Sequence, residues 1–394
     1  MRKQTPRPNP AIRLTDESLF GNDAADLEHD ALFYSYAVER PELEDFLDPS
    51  KSIQIARAYK GEGKSGLLRI TTNKLRASEA DQLIVNAIGP DHSPTVSDID
   101  SDLWTREWKK SLLKLVANEI GATLGTAFTD DAITLVEEAE ANGFKKRSFI
   151  SAITDRLRIK DLPIDRTRVG AADYEKLVSR YLDGRPLIWL VIDDVDQNFA
   201  NTERWRVKLG AFFTACRQIV SVIPELRIRT AIRPNVWAIV KREFESLSHL
   251  EQYVKDMSWT QEQFRWLLSE RVKSYLTRTN QWNIVAPSLP REAFLREQAL
   301  VGLIFDDPMP WGGGDRKRPP HTVLWTLTGH RPRWLIELCK VAATAASARR
   351  ASRIGLDDIS DMDDGLRWEI NPIYREVLNL RTVTDKQNAK SGGR

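Results

Sequence analysis

Apolar and polar positions along the chain follow two periods. "SIQIARA" (52–58), "DQLIVNAI" (81–88), "LIWLVIDD" (187–194), "LRIRTAIR" (226–233) and the weaker "YVKDMSW" (253–259) read as strands. The third is apolar almost throughout before its acids, as a strand buried on both faces must be. Between the strands, apolar residues recur every three or four positions, as in Trp205, Leu209, Phe212, Phe213, Cys216, Ile219 and Val220. Thr260 with Gln263 forms a capping-box pattern, and Phe264, Leu267, Leu268 and Val272 continue one helical face. From Thr260 onward the pattern is helical, with no convincing strand. Short apolar runs alternating with helices predict an α/β fold with a mainly parallel five-stranded sheet, followed by an α-helical C-terminal domain.

Two stretches interrupt this rhythm. Residues 89–185, including "WTREWKKSLLKLVANEIGATLG", exceed one crossover helix and read as a helical insertion. "DDPMPWGGGDRKRPPH" (306–321) is rich in glycine, proline and basic residues and reads as a loop. The expected organisation is a flexible tail over 1–19, a core over 20–258 with its insertion at about 89–185, a helical lid over 259–380, and a disordered tail over 381–394.

Composition narrows the class. Of 394 residues, 29% are charged and 41% apolar, which is ordinary globular usage. The 58 basic and 56 acidic residues leave a net charge of +2, which does not by itself mark a nucleic-acid binder. The longest apolar run, Leu187–Ile192, is far short of the roughly 20 residues a bilayer requires. "MRKQTPRPNPAIR" has no apolar segment of the secretory kind. Cys216 and Cys339 both fall inside apolar helical patterns and read as reduced core residues. Together these features predict a cytoplasmic protein with no membrane partner. The five histidines lack metal-ligand spacing.

The chemistry concentrates at "ARAYKGEGKSGLLRI" (56–70). Ala58 to Ser65 matches the phosphate-loop pattern G-x-x-x-x-G-K-[ST], with Ala58 in place of the first glycine. Glycines allow successive backbone N–H groups to converge on phosphate oxygens, and the following helix presents its positive end to the same anion. Lys60, Gly61, Glu62, Gly63, Lys64, Ser65 and Gly66 are the candidate nucleotide-binding residues. Lys64 would neutralise the β- and γ-phosphates, and Ser65 would ligate Mg²⁺. Glu62 must point away from the phosphates, and Ala58 costs little if its torsions are not left-handed.

"LIWLVIDDVD" supplies the second half of such a site, because a buried strand ending in acids delivers them to the sheet's carboxyl edge. Asp193 would hold Mg²⁺ through water, and Asp194 would polarise the attacking water, with Asp196 structural. The alternative is that the acids cap the next helix. Arg233, ending the fourth strand, either reaches a γ-phosphate or forms a surface salt bridge. "TGHRPRWLIELC" (328–339) opens a helix at Pro332, and Arg331 or Arg333 either swings onto the phosphates or is structural.

At these residues the chain resembles bacterial P-loop ATPases related to the STAND and AAA+ classes. The segment from Phe20 through "GEGKSGLL" is similar to their acidic lead-in and Walker A loop, and "LVIDDVD" to their Walker B motif. "TAIRPNVW" resembles the strand-four sensor position, and "TGHRPRWLIELCKVA" a lid helix with a second-sensor arginine. The resemblance implies a P-loop NTPase fold, ATP and Mg²⁺ as cofactors, and catalytic roles for Lys64, Asp194, Arg233 and Arg333. It also implies a homo-oligomer with a separate sensor or effector protein, of a kind found with anti-phage defence systems. Two departures stand out: Ala58 replaces a glycine, and Asp194 replaces the catalytic glutamate of many AAA+ members.

Three functions fit these features. The first is a slow ATP-driven oligomeric switch or scaffold. The second is a nucleic-acid-handling ATPase, with basic clusters at Phe144–Arg147, Asp155–Arg168 and Asp315–Arg318. The third is an interaction module with a weakly active site, using Trp104, Trp108, Trp311 or Trp334 as anchors.

Overall fold

A computed structural model describes residues 10–78, 82–124, 130–144, 171–311 and 315–360. The chain divides into two compact units: one of residues 41–59 and 67–257, the other of residues 1–40, 60–66 and 258–394.

The first unit holds the sheet. Its strands are β1 (Ile53–Arg57), β2 (Leu83–Ile88), β3 (Ile188–Asp193), β4 (Leu226–Ile232) and β5 (Val254–Asp256), in the order β2-β3-β4-β1-β5 and all parallel. All five expected strands are present. Their burial follows their place: β1, β3 and β4 are buried almost throughout, while edge strand β2 alternates buried and exposed positions near its end. The chain leaving β1 travels toward β2, and the chain leaving β4 travels the other way, to β5. The carboxyl ends of these neighbouring strands therefore border a topological switch point, the usual ligand crevice of an open α/β sheet.

Helices complete both units. In chain order they are α1 (Glu17–Phe20), α2 (Asp30–Tyr36), α3 (Glu42–Leu47), α4 (Lys64–Ala77), α5 (Ser101–Thr123), α6 (Asp130–Ala141), α7 (Ala171–Leu182), α8 (Glu203–Val222), α9 (Pro234–Glu243), α10 (Gln261–Arg278), α11 (Trp282–Val285), α12 (Ala293–Val301), α13 (Pro320–Leu327), α14 (Pro332–Ala348) and α15 (Leu356–Ser360). Helices α5, α6 and α7 lie between β2 and β3 in the chain. The long helix α5 packs on α6, α7 and α8. An edge-to-face aromatic ladder crosses this core: Trp108–Phe212 at 5.1 Å, Phe212–Phe213 at 5.0 Å and Phe213–Trp237 at 5.1 Å between ring centroids. Trp104 and Trp108 are core residues of this unit, not exposed anchors.

In the second unit α10 is the central helix, in contact with α1, α2, α12 and α13. Its capping box is formed: Gln263 N–H donates to the Thr260 hydroxyl, and the Thr260 N–H donates to Oε1 of Gln263 at 3.0 Å. Two expectations give way here. Residues 10–19 are not a solvated tail, because Leu14 and Leu19 enter the apolar core built on α10 and α14. The stretch 306–321 contains a small antiparallel hairpin, β6 (Met309–Pro310) with β7 (Lys317–Arg318). Residues 145–170, which carry two of the basic clusters, and the expected end of the lid beyond 360 lie outside the described residues. Among the described residues no helix is long and apolar enough to cross a membrane.

Candidate phosphate-binding site

The Gly-rich loop leaves β1 without a break. Ala58 N–H donates to the Ile232 carbonyl at 3.2 Å, extending the β1–β4 ladder one residue beyond the strand, and the alanine is fully buried. Positive φ occurs at Gly61 (87°) and Gly63 (93°) and not at Ala58. The position where the pattern asks for a first glycine is thus held by ladder hydrogen bonding, which alanine satisfies. The two glycines that remain are the ones whose backbone an L side chain would strain. α4 begins at Lys64, so Lys64, Ser65 and Gly66 form its first turn, where backbone N–H groups have no intrahelical acceptor and face an incoming anion.

Side chains of the loop's own unit hold it in shape. The Trp259 indole N–H donates to the Glu62 carbonyl at 2.8 Å, and the ring lies 3.7 Å from where a Cβ on Gly63 would sit. Arg333 N–H donates to the Gly61 carbonyl at 3.2 Å, and a Cβ on Gly61 would stand 3.1 Å from that of Arg333. The Arg333 guanidinium is engaged too, its Nε lying 3.0 Å from Oδ2 of Asp23. Ala25 and Phe33 flank Gly66. His330, at φ 66°, stacks on Trp325 at 3.6 Å. Burial lowers the His330 pKa, and the nearby Glu62 charge opposes that shift. Arg331 lies over the Trp334 ring at 4.4 Å. The backbone N–H of Arg333, one of the two arginines considered from the sequence, is hydrogen-bonded to the loop.

The acids belong to the sheet unit. Asp193 is the last residue of β3, and its Oδ1 accepts the Asp194 N–H at 2.8 Å. Asp194 has φ 55°, a left-handed conformation that aspartate tolerates better than most residues. Both acids are half-buried. Asp196 is almost fully buried and accepts the backbone N–H and the Nε–H of Arg233, each at 2.8 Å. Arg233 thus forms a salt bridge whose acid, Asp196, is buried and not on the surface. The Ser65 hydroxyl in the one unit and the Asp193 carboxylate in the other are each oxygen donors of the kind Mg²⁺ accepts. Among the described residues no cluster of three or more histidines, cysteines or acids could hold a metal by itself.

Sequence reasoning passed over Asp23 and Trp259. Asp23 lies within the acidic lead-in, but its partner is 310 residues away in the chain. Trp259 follows the weakest strand and gives no local sign that its indole reaches the loop.

No family model matches the chain, and no curated protein matches it. Among solved structures it is similar to the Aeropyrum pernix ORC2 protein in its ADPNP–ADP complexes (TM-score 0.39, 11% identity, 87% of this chain and 70% of that one). It is likewise similar to the Aeropyrum pernix ORC1 protein in complex with DNA (TM-score 0.39, 13% identity, 89% and 69%). Likeness at this level fixes neither activity nor ligand.

Proposed function

We propose that the chain is an ATP-binding P-loop protein of the AAA+-like kind, that it hydrolyses ATP slowly with Mg²⁺, and that it works as an oligomeric switch or scaffold. The observation that carries the reading is the strand–loop–helix unit itself: β1 ends at the sheet's switch point, Gly61 and Gly63 take left-handed torsions, and α4 opens at Lys64. A backbone so arranged is suited to wrapping a polyphosphate.

In this reading Lys60 to Gly66 surround the phosphates, with Lys64 the principal cation. Ser65 and Asp193 would ligate Mg²⁺, which supplies charge neutralisation between phosphate oxygens. Asp194 orients water. Arg333 reports on the γ-phosphate by trading its Asp23 contact for phosphate oxygens. Arg233 serves by fixing Asp196 and so the turn that follows Asp193. A separate sensor or effector protein, and a setting in anti-phage defence, rest on the sequence resemblance alone.

The test is ATP binding and particle size, with and without ATP and Mg²⁺, for wild type and Lys64→Ala. Loss of binding and of nucleotide-dependent assembly together in the variant is expected. Unchanged ATP affinity in Lys64→Ala sinks the reading. A nucleic-acid-handling ATPase is the second reading, favoured by the exposed Arg316, Lys317 and Arg318 of the small hairpin. A steep fall of nucleic-acid affinity with salt is its signature.

A further inference from the structure

A cavity of about 420 Å³ opens at the carboxyl edge of the sheet, on the β2 side of β3 and away from the strand that feeds the Gly-rich loop. Its walls come from the segment after β2 (Gly89, Pro90, Ser93, Pro94, Thr95), the turn after β3 (Val195, Gln197, Asn198) and the start of α8. Gly89 closes its base tightly, since a Cβ there would stand 2.6 Å from the Val195 Cα.

The cavity's charge is one-sided. Arg204 and Lys208 lie one turn apart on α8 and both line it. Among the described residues no carboxylate pairs with either. Arg204 donates to the Val96 carbonyl and lies 5.8 Å from the Trp104 ring centroid. The Lys208 ammonium sits over the Trp205 ring at 4.2 Å. Burial, reinforced by the Arg204 charge, holds the Lys208 pKa below the ordinary lysine value. Two like charges near the positive end of a helix are mutually unfavourable, and an anion between them relieves both terms.

The remaining walls say what carries the anion. Trp205, Pro90, Pro94 and Val195 supply apolar groups to the lining, and Ser93, Thr95, Gln197 and Asn198 offer hydrogen-bonding groups. A small inorganic anion would leave most of this volume empty, and an apolar ligand would leave two cations unanswered. We propose that the cavity is a second nucleotide-binding site, taking the phosphate of a nucleotide unit on Arg204 and Lys208 and its base among Trp205, Pro90 and Pro94. Phosphate draws the ammonium off the indole, and the uncovered ring face becomes the stacking surface. The unit is either a free mononucleotide or one position of a single strand; the recognising chemistry is the same.

No residue of the Gly-rich loop lines the cavity, so the proposal is tested in the full chain carrying Lys64→Ala. The probes are AMP, followed by calorimetry, and a fluorescein-labelled fifteen-residue thymidylate strand, followed by anisotropy. Arg204→Gln with Lys208→Gln is expected to weaken the binding probe at least tenfold. If the strand binds, its log–log salt dependence becomes shallower by about 0.7, as for one lost phosphate contact. Trp205→Ala is expected to weaken it about tenfold through lost stacking. Binding of AMP alone identifies a free nucleotide as the ligand, and binding of the strand identifies a nucleic-acid contact. Thermal unfolding and near-ultraviolet circular dichroism establish that the variants are folded. The proposal is overturned if neither probe binds, if both bind folded variants as tightly as the parent, or if polyglutamate alone binds and responds to the same substitutions.

Discussion

Arg333 is bound at both ends of its residue: its backbone N–H donates to the Gly61 carbonyl at 3.2 Å, and its Nε lies 3.0 Å from Oδ2 of Asp23. One helix terminus thus ties the Gly-rich loop to the N-terminal segment within a single unit. Burial pushes the Asp23 pKa up, but its own backbone N–H and the Arg333 guanidinium outweigh that and keep it below the ordinary aspartate value. The carboxylate and a γ-phosphate would compete for the same cation. Asp23→Asn removes the charged competitor while keeping the shape, and should tighten ATP severalfold relative to ADP. Arg333→Ala should erase the difference between the two nucleotides. Dissociation constants for both nucleotides check this, and an unchanged ATP-to-ADP ratio in Asp23→Asn removes Arg333 from the sensing role.

Ala58 and Gly63 make opposite predictions although both belong to the phosphate-loop pattern. Ala58 is buried, its N–H extends the β1–β4 ladder, and its φ is not positive. Restoring the missing glycine with Ala58→Gly should lower stability by about 0.5–1 kcal/mol through backbone entropy and leave ATP affinity within about twofold. Gly63→Ala forces an L residue to a φ of 93°. The strain costs about 1–2 kcal/mol or is relieved by moving the loop, and ATP binding is lost either way. Chemical denaturation with ATP titration separates the two. A large gain in ATP affinity from Ala58→Gly contradicts the ladder explanation.

The strands were legible because β1, β3 and β4 are short, largely apolar runs; β1 runs straight into Ala58 and the glycines, and β3 ends in Asp193. The α10 capping box was legible because all its groups lie within four residues. What stayed hidden depends on distant chain. In "LRIRTAIR" Arg229 reads as a polar residue on an alternating strand, yet it is fully buried. Arg233 reads equally well as a phosphate arginine or a salt-bridge partner, and only the fold brings Asp196 to within 2.8 Å of it. The hairpin β6–β7 has strands of two residues, too short to show any period. Leu14 follows a stretch of prolines and basic residues and Leu19 sits beside acidic and polar ones, and burial in the helical unit is what reveals them.

Arg229 supplies a strong stability prediction. Its guanidinium donates to the carbonyls of Phe46 (2.7 Å), Lys51 (2.9 Å) and Asp48 (2.9 Å), and lies 4.6 Å from the Trp189 ring centroid. Burial lowers its pKa to about 9, Arg227 adds to that, and Asp48 opposes it. The side chain thus fastens the segment ahead of β1 to the middle of the sheet. Arg229→Ala removes these charge-assisted bonds, together with one to the Ile228 carbonyl, and leaves the carbonyls without their donor, at an expected cost of about 3–5 kcal/mol. Arg229→Lys should recover only part of this, because an ammonium lacks the fork that spans the three carbonyls. Denaturant midpoints measure both, and full rescue by lysine refutes the geometric account.

His321 gives the pH dependence its sign. It sits buried at the start of α13, where burial, aided by the Arg265 charge and opposed by Glu262, lowers its pKa to about 4. In the unfolded chain an imidazole titrates near 6.5. Between these values the unfolded state binds the extra proton, so stability from this group is complete above about pH 6.5 and falls as the pH drops toward 4. The gap is worth about 3 kcal/mol at the acid end. His321→Phe keeps an aromatic ring and removes the proton site. The difference in denaturant midpoint between pH 7 and pH 4.5 should therefore shrink markedly in the variant, although the carboxylates continue to contribute. A variant whose midpoint falls as steeply as wild type over that window would show that His321 is already protonated in the folded protein at pH 4.5, or solvated enough to titrate normally.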